Sequence, residues 1–240
     1  EGGSEYHNRA VRDIDAGDLA AALTHAQQAV TADSTNIGYR ETLARVHYRM
    51  GDLLAVISIY EAIVREQPQN VPALKRLSRL LVENWQFDKA DHVIAHALTL
   101  DPSDLTLLSL QVLAKHELGH AEQAKSVAFG AEHLYPDVLS FALDARLLLP
   151  MIYADAESVL SSRRRFSRGL EELHAGMPKW QKRPEQVFSV ERSNFLLAYQ
   201  GGDDLPMQQG YSRLIGQLIE TAAPDLRQDL KLQFDGRRKL

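Results

Sequence analysis

Glu41, Arg45, Tyr48 and Arg49 stand at i, i+4, i+7 and i+8, a spacing that brings all four to one side of an α-helix. Thirty-four residues further on, Lys75, Arg79, Val82 and Glu83 repeat those phases, so a second helix laid beside the first would continue the stripe. A guanidinium offers five donors in a planar fork and keeps its charge when partly desolvated. Arginines so placed suit the backbone carbonyls and acidic side chains of an extended peptide, and Tyr48 adds a flat apolar surface. The stripe also reads as a solvated face carrying internal Glu–Arg pairs. Arg45, Tyr48, Arg49, Lys75 and Arg79 are therefore the candidate protein-binding residues.

Other groups with chemical potential lead to less. His92 and His96 are four apart, as are His116 and His120, a spacing compatible with zinc, but neither pair has a convincing third ligand in the sequence. Asp13-Ile14-Asp15 sits inside a helical pattern and Asp203-Asp204 suits a helix cap, so neither is expected to hold a divalent ion. Arg163, Arg164 and Arg165 are able to meet phosphate or an acidic surface; a solvated helix face, or a seam against a further domain, is the expected reading. Gly201-Gly202 lacks the strand–GxGxxG–helix setting of a dinucleotide loop. No Ser–His–Asp arrangement or acid pair stands out, so no catalytic residue, metal site or bound cofactor is expected in this chain.

Composition narrows the class. The 240 residues are 45% hydrophobic with a formal net charge of −5, which argues against bulk nucleic-acid binding. No run approaches the roughly 18 apolar residues of a spanning helix, and the start lacks the basic-then-apolar order of a signal peptide. Zero cysteines exclude disulfides and thiolate chemistry and fit a reducing compartment. The expectation is a cytoplasmic protein with no membrane and no nucleic-acid partner.

What must position the stripe is a repeat of 34 residues. Gly17, Gly51, Trp85 and Gly119 share one phase, and Ala22, Val56, Ala90 and Ala124 another. Ala29, Ile63, Ala97 and Ala131 mark a third, and Ser34, Pro68, Pro102 and Pro136 a fourth. A glycine between two helical stretches and a proline closing the second resemble the tetratricopeptide repeat, two antiparallel helices per unit. The predicted fold is all-α, a tetratricopeptide-repeat α-solenoid of four repeats over residues 5–138 followed by a helical connector over 139–240.

Repeat two, from Ile37 to Asn70, is the cleanest: Leu43, Ala44 and His47 share a face, and Val56, Ile59, Tyr60 and Ile63 form the stripe of the second helix. Repeat three, from Val71 to Asp104, follows with Leu77, Ser78, Leu81, Ala90, Ile94 and Ala97, but its glycine phase holds Trp85, which predicts a more open or differently packed turn. Arg9 and Asp13 weaken repeat one, and Gln111 replaces an expected leucine in repeat four, as in capping units. In such stacks the charged face of the first helices lines a concave groove.

Past Val138 the period fails. Helices are predicted from Leu139 to Leu149, from Ala156 to Ala175, and from Leu205 to about Thr221, where Asp203 or Asp204 is the expected cap. Met177 to Glu191, polar and interrupted by Pro178 and Pro184, reads as a loop or lid.

Leu149-Pro150-Met151-Ile152-Tyr153, Glu157, Arg165-Phe166 and Arg168-Gly169-Leu170 resemble the segment after the repeats in bacterial O-GlcNAc-transferase-like, or SPINDLY-like, protein glycosyltransferases. Asn194 to Gly201, Asp203-Asp204-Leu205 and Gln208 are similar to that family's next block, and Gly236-Arg237-Arg238-Lys239-Leu240 to the lead-in to its GT-B catalytic domain. The resemblance implies a substrate-recruiting region whose partner surfaces are an acceptor protein or peptide in the groove and a C-terminal GT-B domain of the same polypeptide. The parent enzyme would use a nucleotide-sugar donor and glycosylate Ser or Thr hydroxyls, with flagellin a candidate acceptor. The rival readings are a stand-alone adaptor and a carrier chaperone without enzymatic activity.

Overall fold

The computed structural model describes residues 2–190 and 194–227. Among the described residues the regular elements are all helical. First helices α1 (Gly3–Ala16), α3 (Ile37–Arg49), α5 (Val71–Glu83) and α7 (Leu105–Glu117) alternate with second helices α2 (Leu19–Ala32), α4 (Leu53–Glu66), α6 (Phe87–Leu100) and α8 (Ala121–Leu134). Within each series consecutive helices start 34 residues apart, the period read from the sequence.

The helix starts are set by side-chain caps. Asp18, Asn36, Asp52, Asn70 and Asp104 each accept a hydrogen bond from the backbone N–H three residues on, satisfying a donor that the helix leaves unpaired. The turns inside each pair are equally regular. Gly17, Gly51 and Gly119 take φ near 80°, and Trp85 takes φ 59°. The residue after each donates to the carbonyl five positions earlier, Asp52 to His47 at 2.9 Å and Gln86 to Leu81 at 2.8 Å, closing the helix end in the same way. The more open turn expected at Trp85 is thus corrected: its backbone is forced into the glycine conformation by the hydrogen bonds the other three repeats make.

The chain forms two compact units, Glu1–Val127 and Ala128–Leu240, the division falling within α8. In the first, Val56, Ile57, Tyr60, Ile63, Leu74, Leu77, Leu81 and Ile94 build a continuous core, with Ala44, Ala90 and Ala97 where helices approach closely. Val46, fully buried with Ala10, Ile14, Ala22 and Ala26, extends this packing to the first repeat, while Leu43 beside it is only partly buried.

The second unit has no repeat. Its helices are α9 (Leu139–Leu147), α10 (Ala156–Ala175), α11 (Met177–Trp180) and α12 (Leu205–Ala222), with 3-10 turns at Pro184–Ser189 and Phe195–Gln200 between the last two. A capping box of Asp155 and Ser158 starts α10. Neither aspartate caps α12 through the usual bond to the third helical N–H: Asp203 Oδ1 accepts from Leu205 N at 3.0 Å, and the Asp204 carboxylate is drawn to Arg163. Phe166, Leu170 and Leu173 face Leu139, Leu143, Leu147, Leu197, Leu214 and Leu218 in one core. Gly169 lets α9 come close, since a Cβ there would lie 2.8 Å from Arg146 Cβ. The segment read as a polar loop or lid from Met177 is corrected as well, because Met177, Trp180 and Val187 are buried in that core. Three apolar residues scattered among lysines, arginines and prolines supply its inward side. Glu191, Arg237, Arg238, Lys239 and the lead-in Gly236–Leu240 lie outside the described residues.

Candidate peptide-binding groove

The charged face of the first unit opens on a groove of about 530 Å³, lined among others by His7 from α1, Glu41, Thr42 and Arg45 from α3, Tyr60 from α4 and Arg76 from α5. Several of its polar lining groups are held in place. Tyr60 is 8% exposed. Burial pushes its hydroxyl above the ordinary tyrosine range and the Glu41 charge adds to this, while the charge and hydrogen bond of Arg76 oppose it, so the phenol remains a neutral donor. Thr42 Oγ1 and His7 Nδ1 lie 3.2 Å apart, and the His7 ring packs at a tilt against Tyr39, with centroids 5.3 Å apart. The Arg76 guanidinium sits 5.2 Å from the centre of the Tyr48 ring, a cation–π contact that fixes where its donors point.

The stripe named from the sequence is distributed unevenly. Arg45 lines the groove. It is exposed and makes no hydrogen bond or ion pair among the described residues. Tyr48 is exposed beneath Arg76. Arg49 and Arg79 are exposed at and near the ends of α3 and α5 and are not in the groove lining. Lys75 is engaged elsewhere: its Nζ reaches Asp104 Oδ2 at 2.5 Å, and Asp104 also caps α7 by accepting from Leu107 N at 2.8 Å. That Lys75 contact, with the Leu107 amide, holds the Asp104 carboxyl below its ordinary value although burial pushes the other way.

Arg76 was not among the sequence candidates. It shares its 34-residue phase with Thr42, not with Arg45, and both of these residues line the groove. The phase one position along from the charged stripe is the signal that would have found it.

In the second unit the three consecutive arginines separate, since successive residues on a helix point about 100° apart. Arg163 donates to Asp204 Oδ1 at 2.6 Å, Gln200 Oε1 at 3.1 Å and the Asp203 carbonyl at 2.5 Å. Arg165 donates to the Leu148 carbonyl, and only Arg164 lies on the exposed face, paired with Glu157 at 2.6 Å. The solvated face expected of all three is corrected for Arg163 and Arg165, which tie the unit together. Gln200 Nε2 also donates to the Tyr153 hydroxyl at 2.5 Å. His96 and His92 lie against the Pro68 and Asp88 carbonyls, and Asp13 is 2.6 Å from His25. Among the described residues no group of three His, Asp or Glu is arranged to hold a metal ion, and no helix is long and apolar enough to cross a membrane.

No family model matches the chain, and no curated protein does. Solved structures do. The fold is similar to a crystal structure of MamA, at 12% identity and TM-score 0.59 over 80% of this chain and 96% of that one. It is similar to MamA from residue 41 to its end from Desulfovibrio magneticus RS-1, at 15% identity and TM-score 0.54 over 70% and 93%. A tetratricopeptide repeat protein from Parabacteroides merdae ATCC 43184 aligns at 12% identity and TM-score 0.53 over 91% and 83%. At such identities the likeness is one of fold: the regular elements among the described residues are helical, and the paired helices of the first unit have the α-solenoid arrangement of tetratricopeptide type.

Proposed function

We propose that the groove of the first unit binds an extended segment of a partner protein, and that this binding recruits the partner as the Ser/Thr acceptor of an O-GlcNAc-transferase-like glycosyltransferase. The observation that carries the binding role is the pairing of an unengaged Arg45 with an Arg76 held on Tyr48, over a floor of Tyr60 and Thr42. Donors fixed before the ligand arrives lose little entropy on binding. The parent activity rests on the sequence resemblance of the Leu149–Tyr153, Arg165–Leu170 and Asn194–Gly201 blocks, and the nucleotide sugar and GT-B domain follow from that resemblance alone. An adaptor without an enzymatic partner domain would use the same groove.

A random peptide library displayed on phage and panned against the chain tests the binding role. Selected peptides are expected to carry carboxylates. Replacing Arg45 and Arg76 together by alanine should weaken them by about 1–2 kcal/mol and flatten the salt dependence. Unchanged affinity and salt slope in the double variant would return the stripe to a solvated face. Incubating the product of the entire gene with tritiated nucleotide sugars and a groove-binding peptide separates enzyme from adaptor: label on a Ser or Thr supports the first, and binding without transfer supports the second.

A further inference from the structure

Three of the four equivalent turns hold glycine, and the fourth holds Trp85 at φ 59°. A left-handed backbone is unfavourable for a bulky L-residue, and residues held in such strain cluster at functional positions. Glycine satisfies the same hydrogen bonds at Gly17, Gly51 and Gly119. The indole is nonetheless 77% exposed, with its ring set edge-on to Phe87 at 5.8 Å. On the preceding turn Met50 and Leu54 are 49% and 65% exposed. Gly51 and Trp85 are one 34-residue period apart, and neighbouring helices pack about 10 Å apart, so Met50, Leu54 and Trp85 form one apolar strip along the turn edge.

Charge says what covers it. Arg49 ends α3 and Glu83 ends α5, at equivalent positions of adjacent repeats. Both are exposed, and neither makes an ion pair among the described residues. The edge therefore carries a cation beside Met50 and Leu54 in one repeat, and an anion beside Trp85 in the next. A two-fold axis between the two turns exchanges these halves. We infer that this edge is a two-fold interface with a second copy of the chain: Trp85 of each copy lies on Met50 and Leu54 of the other, and Arg49 of each pairs with Glu83 of the other. Two-fold interfaces require this reciprocity, in which one patch carries both halves of every contact. A surface for a different protein or for lipid does not, and acidic Asp52, Glu83 and Asp88 beside the strip disfavour an anionic bilayer.

Sedimentation velocity of the whole chain over a wide concentration range tests the proposal. The wild type should form a dimer, and Trp85→Gly should weaken association by about 30-fold or more, as expected for loss of a central aromatic anchor. Glycine suits the turn, so this variant folds, which circular dichroism verifies, and its peptide binding in the groove is unchanged. Arg49→Glu alone and Glu83→Arg alone should each weaken the dimer, while the double swap restores it. A chain that stays monomeric overturns the inference, as does a dimer indifferent to Trp85→Gly, a swap that fails to rescue, or a monomer whose Trp85 instead drives binding to phosphatidylcholine vesicles. None of these outcomes touches Arg45 or Arg76, so failure here leaves the groove reading to its own test.

Discussion

The repeated unit that ends at Val127 and the unit that begins at Ala128 hold themselves together by ties of different reach. In the first, Arg40 pairs with Glu66, Lys75 with Asp104 and Lys115 with Asp91, spanning 26, 29 and 24 residues, each about one helix pair along the chain. In the second, Arg146 meets Glu172 over 26 residues, but Arg163 reaches Asp204 over 41, Gln200 reaches Tyr153 over 47, and the Gln186 side chain accepts from Leu139 N over 47 and donates to the Asp137 carbonyl over 49. A repeated sequence poses one local packing problem several times, so that caps, turns and ties recur and each loss is confined to neighbours. An unrepeated one solves its problem once, with no duplicate of Arg163 or Gln186 to take over.

The sharpest way to break this comparison is to delete the centre of the second core. Phe166→Ala should cost about 3–5 kcal/mol, because a fully buried ring leaves a cavity that the surrounding helices fill only in part. The chain's two tryptophans make the outcome readable: Trp180 is 5% exposed in the second unit, and Trp85 lies on the surface of the first. In urea unfolding followed by fluorescence of the single-tryptophan variants Trp85→Phe and Trp180→Phe, only the Trp180 transition should move. Transitions that move together would make the two units one cooperative whole.

A smaller loss is expected from Arg163→Met. It leaves the Asp204 carboxylate, four-fifths removed from solvent, without its cation, and frees Gln200 and the Asp203 carbonyl. About 1–3 kcal/mol is expected from chemical denaturation, less than for a fully buried pair because both partners keep some water. If Arg163→Met cost no more than removing the exposed Arg164, the long-range ties would not be what holds the unit.

Smaller still is the loss from Lys75→Met, which removes one of several similar ties, the Lys75 side chain being about one-third exposed. About 0.5–1 kcal/mol is expected at neutral pH. Asp104 sits below its ordinary 3.8 in the folded chain. Its contribution is therefore complete above that value and is lost as pH falls through the lower folded value. The stability difference between wild type and Lys75→Met should be constant down to about pH 4 and should shrink in more acid solution. A difference that grew on acidification would contradict the pairing.

What the sequence determined by itself was the helical pattern that a 34-residue repeat imposes. The 34-residue phases placed the paired helices, and Leu77, Ser78, Leu81, Ala90, Ile94 and Ala97 are buried as their spacing required. Helix α10 runs from Ala156 to Ala175 as its apolar face and arginine flank indicated. The candidate groove was legible in part: Arg45 lines it and Tyr48 supports it, whereas Lys75 is spent on Asp104. Arg76 is not legible in the helix pattern because its position depends on α5 passing Tyr48, a contact between helices. The tertiary structure alone decided that Met177, Trp180 and Val187 turn inward and that Arg163 ties α10 to the Gln200–Asp204 turn. It also decided that Trp85 takes a glycine's backbone. In the first two the local pattern is ambiguous, and the choice is made by partners brought close only when the chain has packed: a core that takes in apolar side chains and a carboxylate that draws a cation; at Trp85 the residue type is adverse, and the turn's own hydrogen bonds outweigh the strain of one indole.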